Sequence, residues 1–179
     1  MFTLFLSVTT VHRIKVWKDS LTLFDDVVNK YPLNYLGYYL RGGARQENDG
    51  SGAISDYSKS IEINPVNPKA FNNRGNIYSS RRKYQEALGD YNAALKFDST
   101  LTEALNNRGA IKAILGNPDG ALADIEKALV LKPEYTDAYR NRGLVKLQLN
   151  DLKAARNDWK KASEMGDDLS EKLLNRYPE

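Results

Sequence analysis

Arginine and aspartate residues that recur in a regular pattern are the side chains of this chain with the clearest chemical potential. In four places an Arg-Gly pair is followed by an aspartate at nearly the same distance along the chain. The four combinations are Arg41 with Asp56, Arg74 with Asp90, Arg108 with Asp124, and Arg142 with Asp158. A guanidinium can bind a carboxylate through two parallel hydrogen bonds, so the pattern predicts structural ion pairs between helices. The alternative is that these residues form a charged binding face.

Asparagine residues form a second recurring set. The segments Asn72-Asn73, Asn106-Asn107 and Arg140-Asn141 each precede one of the arginines and recur at the same interval. The carboxamide of asparagine has both a donor and an acceptor. If the units that carry them stack regularly, the asparagines at positions 73, 107 and 141 would form a ladder, whose amides can bind the backbone of an extended peptide whatever its sequence. The alternative is that these amides cap or bridge adjacent helices.

Cysteine is absent from the sequence and histidine is almost absent. There is no cysteine and His12 is the one histidine, so neither a thiolate site nor a pair of histidines for a metal can form. The sequence has no phosphate-binding glycine loop and no metal motif. We therefore expect no catalytic residue, metal or cofactor. The net charge is +3, and basic and acidic residues are interleaved, which argues against a nucleic-acid partner.

The elements that must position these residues are repeated helix pairs. The Arg-Gly markers at 74, 108 and 142 are equally spaced along the chain, and an alanine and the aspartate follow each marker at the same distance. A unit as short as this period cannot bury its apolar face alone, so successive units must stack into a solenoid. Such an architecture favours binding over catalysis.

The residue types at these positions resemble the tetratricopeptide repeat (TPR), a helix–turn–helix unit of about 34 residues. The family has a large residue at position 4, small residues at 8, 20 and 27, an aromatic residue at 24 and proline at 32. Residues 68–101 carry Phe71, Gly75, Ala87, Tyr91 and Ala94, with Ser99 in place of the proline. The resemblance implies an all-α fold, a right-handed superhelical solenoid of stacked antiparallel helix pairs.

Four full repeats and two incomplete segments account for the whole chain as one continuous domain. The predicted repeats cover residues 35–67, 68–101, 102–135 and 136–169. The first of them is one residue short between Gly42 and Ala53, where a polar, glycine-rich stretch predicts a turn. Residues 1–34 form a degenerate repeat whose second half alone carries the pattern. Residues 170–179 have apolar positions at helical spacing and predict a capping helix, which a terminal repeat needs.

In the family, positions 2, 5, 6, 9, 12 and 13 face a concave groove that binds a protein or an extended peptide. The residues predicted for this groove are Leu36, Tyr39, Asn72, Asn73, Asn76, Asn106, Asn107, Arg140 and Asn141. Leu36 and Tyr39 would make one end apolar, and Arg140 would make the other end basic, with Asp137 and Glu103 opposing it. The ladder is similar to the asparagine ladder in the repeats of protein O-glycosyltransferases. The family's clamp for a C-terminal carboxylate needs basic residues that are asparagine and aspartate here, so we do not expect that activity.

The N-terminal segment has three interpretations. Residues 2–11 are apolar with serine and threonine and precede the basic residues His12, Arg13 and Lys15. The run is shorter than the about 20 apolar residues needed to cross a bilayer. One interpretation is a helix docked on the first repeat, and another is homo-oligomerisation through residues 2–11. In the third, the chain is the docking or regulatory TPR region of a larger, glycosyltransferase-like polytopic membrane protein, tethered to a membrane through upstream residues. The location is unknown, with the cytoplasm as the default.

Overall fold

The computed structural model describes residues 19–178, which contain ten α-helices and no β-strand. The helices are α1 (Ser20–Lys30), α2 (Tyr35–Arg45), α3 (Gly50–Ile63), α4 (Pro68–Ser80), α5 (Tyr84–Phe97), α6 (Thr102–Ile114), α7 (Pro118–Leu131), α8 (Thr136–Gln148), α9 (Leu152–Glu164) and α10 (Asp168–Arg176). The predicted all-α fold of paired solenoid helices is therefore confirmed. His12 and residues 2–11, the segment predicted to mediate self-association, lie outside the described residues.

The chain forms two compact units, and the division falls within α4. In the first unit, Met1–Ile77, α2 packs against both α1 and α3. One buried apolar cluster of this unit consists of Ala53, Tyr57, Ala70 and Ile77. Helix α2 has 11 residues, whereas α4, α6 and α8 have 13 each. The residue missing from this repeat thus accompanies a shorter C-terminal end of α2, and α2 still packs on α3.

In the second unit, Tyr78–Glu179, the helices α5 to α10 pack in order, each against its neighbour along the chain. Helix α6 also packs against α8, so the first helices of two adjacent repeats lie side by side. One buried apolar cluster of this unit consists of Ala121, Ile125, Leu129, Ala138 and Val145. These residues come from α7 and α8, and their burial holds adjacent repeats together.

Helix α10 packs on α9 at the C-terminal end of the second unit. It begins at Asp168, slightly before the predicted start of a capping helix. The ring of Tyr177, just after α10, lies 5.7 Å from the ring of Trp159 in α9. Arg156 of α9 donates to the carbonyl of Leu174 at 3.1 Å and also to that of Tyr177. A side chain of α9 therefore satisfies carbonyls that the end of α10 would otherwise leave without an intrahelical partner.

Close helix contacts within a repeat depend on glycine facing a large side chain. A Cβ added to Gly42 of α2 would lie 2.9 Å from the ring of Tyr57 in α3. A Cβ added to Gly143 of α8 would lie 2.4 Å from Nε1 of Trp159 in α9. Tyr57 and Trp159 are both fully buried. The glycine at repeat position 8 and the large residue at position 24 are thus in direct contact in these two repeats.

The turns inside three repeats share one backbone geometry. Arg82, Gly116 and Asn150 occupy the same position of successive repeats, with φ values of 58°, 82° and 64°. At each turn this residue's amide donates to a carbonyl three residues earlier, and the next amide donates to one five residues earlier. This is the Schellman ending of a helix, which requires a left-handed residue. Arginine suits this position least, because its Cβ is crowded in a left-handed conformation.

Replacement of Arg82 by glycine is expected to raise the free energy of unfolding by about 0.5–1 kcal/mol, because glycine adopts a positive φ without that crowding. Equilibrium unfolding in urea, followed by far-ultraviolet circular dichroism, measures the change. The reciprocal control is Gly116→Ala, at a φ of 82°, which should lower the same quantity by about 1 kcal/mol. An unchanged or lower stability for Arg82→Gly would show that this turn carries no such strain.

None of the helices in residues 19–178 is both long and apolar enough to span a membrane.

Candidate functional site

The recurring arginine and aspartate of the first unit form a bidentate ion pair. Arg41 on α2 donates Nε and Nη2 to the two carboxylate oxygens of Asp56 on α3, at 3.0 and 2.6 Å. Only 3% of the Asp56 side chain is exposed. The hydrogen bond to Asp56 raises the pKa of Arg41 against the opposing effect of burial. Arg74 donates to the hydroxyl of Ser58 at 2.8 Å, and its predicted partner, Asp90, belongs to the other unit.

The second unit contains two pairs of the same geometry. They are Arg108 with Asp124, at 2.7 and 2.6 Å, and Arg142 with Asp158, at 2.9 and 2.6 Å. A lysine one turn after each arginine binds the same carboxylate, Lys112 at 2.7 Å and Lys146 at 2.8 Å. Burial acts to raise the pKa of Asp124, but the hydrogen bonds from Arg108 and Lys112 outweigh it, and the pKa lies below its ordinary value. These carboxylates are buried between the two helices of one repeat.

Three of the predicted groove residues of the first unit, Tyr39, Asn72 and Asn73, are connected by hydrogen bonds. Asn73 donates its amide to the hydroxyls of Tyr39 and Tyr57, each at 3.4 Å. It accepts a hydrogen bond at 3.3 Å from Asn72, which is only 7% exposed. Leu36 is 47% exposed and is a true surface residue. The amide nitrogen of Asn73 is thus directed at tyrosine hydroxyls within its own unit.

The predicted groove residues of the second unit connect two helices. Asn141 on α8 donates to the carboxamide oxygen of Asn106 on α6 at 3.0 Å. Asn106 in turn donates to Asn107 at 3.4 Å and is 3% exposed. Bridging of adjacent helices, the alternative interpretation of the sequence pattern, therefore describes the geometry of Asn106 and Asn141. Asn107 and Asn141 are only partly buried.

The predicted basic end of the groove has a different charge from the one expected. Arg140 on α8 donates to Asp167 at 2.5 Å and also to Asp137. Its side chain is 19% exposed. The expectation of a basic end does not hold, because two carboxylates bind this one guanidinium. Asn76, the remaining predicted groove residue, is partly buried on α4 in the first unit.

An open pocket of about 430 Å³ lies between α6 and α8 of the second unit. Its lining consists of Ala110, Ala113, Ile114, Asn141, Leu144, Val145 and Gln148, and we call it the α6–α8 pocket. Ile114 is 57% exposed and Leu144 is 41% exposed, so the wall presents apolar surface to solvent. No charged side chain belongs to this lining. The arrangement suits an uncharged, apolar side chain of a ligand, with the amides of Asn141 and Gln148 at its border.

Sequence reasoning identified only Asn141 among the lining residues. The others lie at repeat positions 9, 10, 12 and 13 of the third and fourth repeats. A signal was present in the sequence, since positions 12 and 13 read Gln46-Glu47 and Ser79-Ser80 in the first two repeats but Ala113-Ile114 in the third. A change from polar to apolar residues at predicted groove positions indicates where an apolar ligand group can bind.

Metal binding has no support in the described part of the chain. Within residues 19–178 no group of three or more histidine, cysteine, aspartate or glutamate side chains is arranged to hold an ion.

Comparison with known proteins supports the fold and the repeat family. Residues 68–101 and residues 115–164 each match a family model described as tetratricopeptide repeat. No curated protein matches the chain significantly. A crystal structure of MamA is similar over 88% of this chain and 90% of its own length, with a TM-score of 0.72 and 20% identity. The similarity to the crystal structure of PilW, a type IV pilus biogenesis factor, covers 79% of this chain and 66% of that chain, with a TM-score of 0.72 and 22% identity.

A further similar structure contains a bound peptide. It is the first TPR of Spaghetti (RPAP3) bound to the HSP90 peptide SRMEEVD. The similarity covers 65% of this chain and 93% of that chain, with a TM-score of 0.62 and 26% identity. The two matches to tetratricopeptide-repeat models confirm the family resemblance drawn from the residue pattern.

Proposed function

We propose that this tetratricopeptide-repeat protein is a non-catalytic interaction scaffold whose α6–α8 pocket holds an apolar side chain of an extended protein segment. The observation that carries the proposal is the pocket itself, an uncharged apolar surface between the first helices of two adjacent repeats. Similar repeats in Spaghetti (RPAP3) were solved with a peptide bound, which supports a peptide as the class of ligand. The predicted groove positions of the family include most of the lining.

The amides at the border of the pocket have a separate role in this proposal. Asn141 uses its amide nitrogen for Asn106, and its carboxamide oxygen is an acceptor for a peptide N–H. Gln148 donates at 3.3 Å to the carbonyl of Ala113 on α6. We propose that Asn141, together with Asn107 on the same face, orients the peptide backbone while Ile114 and Leu144 contact the apolar side chain. Affinity then comes mainly from apolar burial.

Ile114→Asp and Leu144→Asp are each expected to weaken peptide binding about 10- to 100-fold, because a carboxylate would replace the apolar wall of the pocket. A random displayed peptide library is selected on the full chain, and the enriched peptides are measured by fluorescence anisotropy. Val130→Asp is the matched control, since Val130 is 80% exposed on α7, outside the pocket.

All three variants should keep the wild-type helical circular dichroism, since each side chain is exposed. The proposal is contradicted if the enriched peptides bind Ile114→Asp and Leu144→Asp as tightly as they bind Val130→Asp.

A further inference from the structure

The surface of α6 and α8 that contains the α6–α8 pocket also carries two acidic residues, Glu103 and Asp137. We call this surface the α6–α8 face. Glu103 and Ile114 are 11 residues apart on α6, and Asp137 and Gln148 are 11 residues apart on α8. Eleven residues make slightly more than three turns of helix, about 20° past alignment at roughly 100° per residue. Each acidic residue therefore lies on the same stripe of its helix as a lining residue of the pocket.

At the end of this face that contains Glu103 and Asp137, the acidic and basic side chains are not matched one to one. Arg140 is bound between Asp137 and Asp167, so two carboxylates share one guanidinium. The ammonium of Lys132 lies over the ring of Tyr135, 4.7 Å from its centre. Glu103 is exposed, and its hydrogen bond comes from the hydroxyl of its neighbour, Thr102, at 3.2 Å. An exposed carboxylate thus lies beside a cluster whose cations are already engaged.

The buried hydroxyl of Tyr135 lies close enough to Asp137 and Glu103 to be affected by both charges. Burial raises the pKa of its hydroxyl, and the nearby charges of Asp137 and Glu103 raise it further, to about 12. The hydrogen bond with Asn106 and the charge of Arg140 oppose this rise and do not cancel it. Both carboxylates therefore act on one hydroxyl, at the N-terminal end of α8.

We infer that the segment bound at the α6–α8 pocket also carries a basic side chain, which pairs with Glu103 at the other end of the same face. The inference rests on the proposed function, because the pocket anchors the segment. Eleven residues of helix span about 16 Å, and an extended chain covers this distance in about five residues. The bound segment therefore combines an apolar residue with a lysine or arginine about five positions away.

The probes are two pairs of capped twelve-residue peptides with one leucine in a background of alanine, serine and glutamine. Within a pair the peptides are identical except for lysine or glutamate five positions from the leucine, before it in one pair and after it in the other. Nuclear magnetic resonance titration of the full 20.2 kDa chain measures each dissociation constant and locates the contact. In at least one pair, we expect the lysine peptide to bind about three- to tenfold more tightly than the glutamate peptide.

Two variants and one control test the role of Glu103. Glu103→Gln should abolish the preference for lysine, and Glu103→Lys should reverse it. An acidic residue in the first turn also stabilises a helix through its dipole, so Glu86→Gln, a first-turn change in α5, is the control and should leave the preference unchanged.

The possible results separate the two proposals. If the lysine and glutamate peptides bind equally and change the chemical shifts of Ile114 and Leu144, the proposal of a basic side chain is wrong and the proposed binding pocket is supported. A preference that survives in Glu103→Gln would also overturn the proposal of a basic side chain. If no probe binds, or if binding leaves Ile114 and Leu144 unaffected, both proposals fail.

Discussion

Gly143→Ala is expected to lower the free energy of unfolding by about 2 kcal/mol or more. The added Cβ would lie 2.4 Å from Nε1 of Trp159 and 3.0 Å from the backbone oxygen of Ala155. Trp159 is fully buried and donates to the carbonyl of Arg140 at 3.3 Å, so it cannot shift without losing contacts. Overpacking of a buried site costs about 1–3 kcal/mol or more, and displacement of backbone adds to this. The better helix propensity of alanine returns only about 1 kcal/mol.

Gly89→Ala is the matched control for this prediction. Gly89 lies within α5, is exposed, and has no heavy atom within 4 Å of an added Cβ. Here the same substitution should raise the free energy of unfolding by up to about 1 kcal/mol, because the propensity gain is not opposed. Urea unfolding of both variants measures the two changes. Equal effects of the two substitutions would contradict the close contact between α8 and α9.

Asp124→Ala is expected to lower the free energy of unfolding by about 2–3 kcal/mol at neutral pH. The carboxylate binds both Arg108 and Lys112, and its side chain is 8% exposed. Removing one partner of a buried ion pair costs about 3–5 kcal/mol. The side chains of Arg108 and Lys112 are 21% and 23% exposed, so solvent screens part of the cost. Glu126→Ala, an exposed site on the same helix, is the control and should change stability by less than about 0.5 kcal/mol.

The loss caused by Asp124→Ala should also depend on pH. The pKa of Asp124 is lower in the folded chain than its ordinary value of 3.8. A carboxylate with a lowered folded pKa stabilises the fold above its unfolded pKa and loses this contribution as the pH falls through the folded value. The difference in stability between wild type and Asp124→Ala should therefore be constant above about pH 5 and decrease below about pH 4. A difference that stays constant down to about pH 2 would contradict this assignment.

The repeat architecture could be predicted from sequence because packing at each repeat demands fixed residue sizes. Gly143 must be small since Trp159 occupies the space where its Cβ would project. The recurring Arg-Gly and aspartate markers likewise reflect a contact within one helix pair, as Arg142 and Asp158 show. Such requirements recur with the repeat and are visible in a single sequence.

The pocket and the local charges were not predictable in the same way. The α6–α8 pocket is an open space between two helices beside Ile114 and Leu144. The residue types alone do not reveal whether such a space is filled. Arg140 looked basic because Asp167, far along the chain, could not be placed beside it from the sequence. The positive φ of Arg82 was also hidden, since arginine gives no signal for a left-handed turn that glycine fills one repeat later.

Chemical-shift mapping of the full chain with the tightest peptide from the library selection tests the central claim most directly. If the α6–α8 pocket is the binding site, the largest shifts will occur at Ala110, Ala113, Ile114, Leu144 and Gln148, and Val130 will be unaffected. Largest shifts at Val130 and Phe97, at the ends of α7 and α5, or at Leu36 and Leu40 on α2, would contradict it and place binding on a different surface.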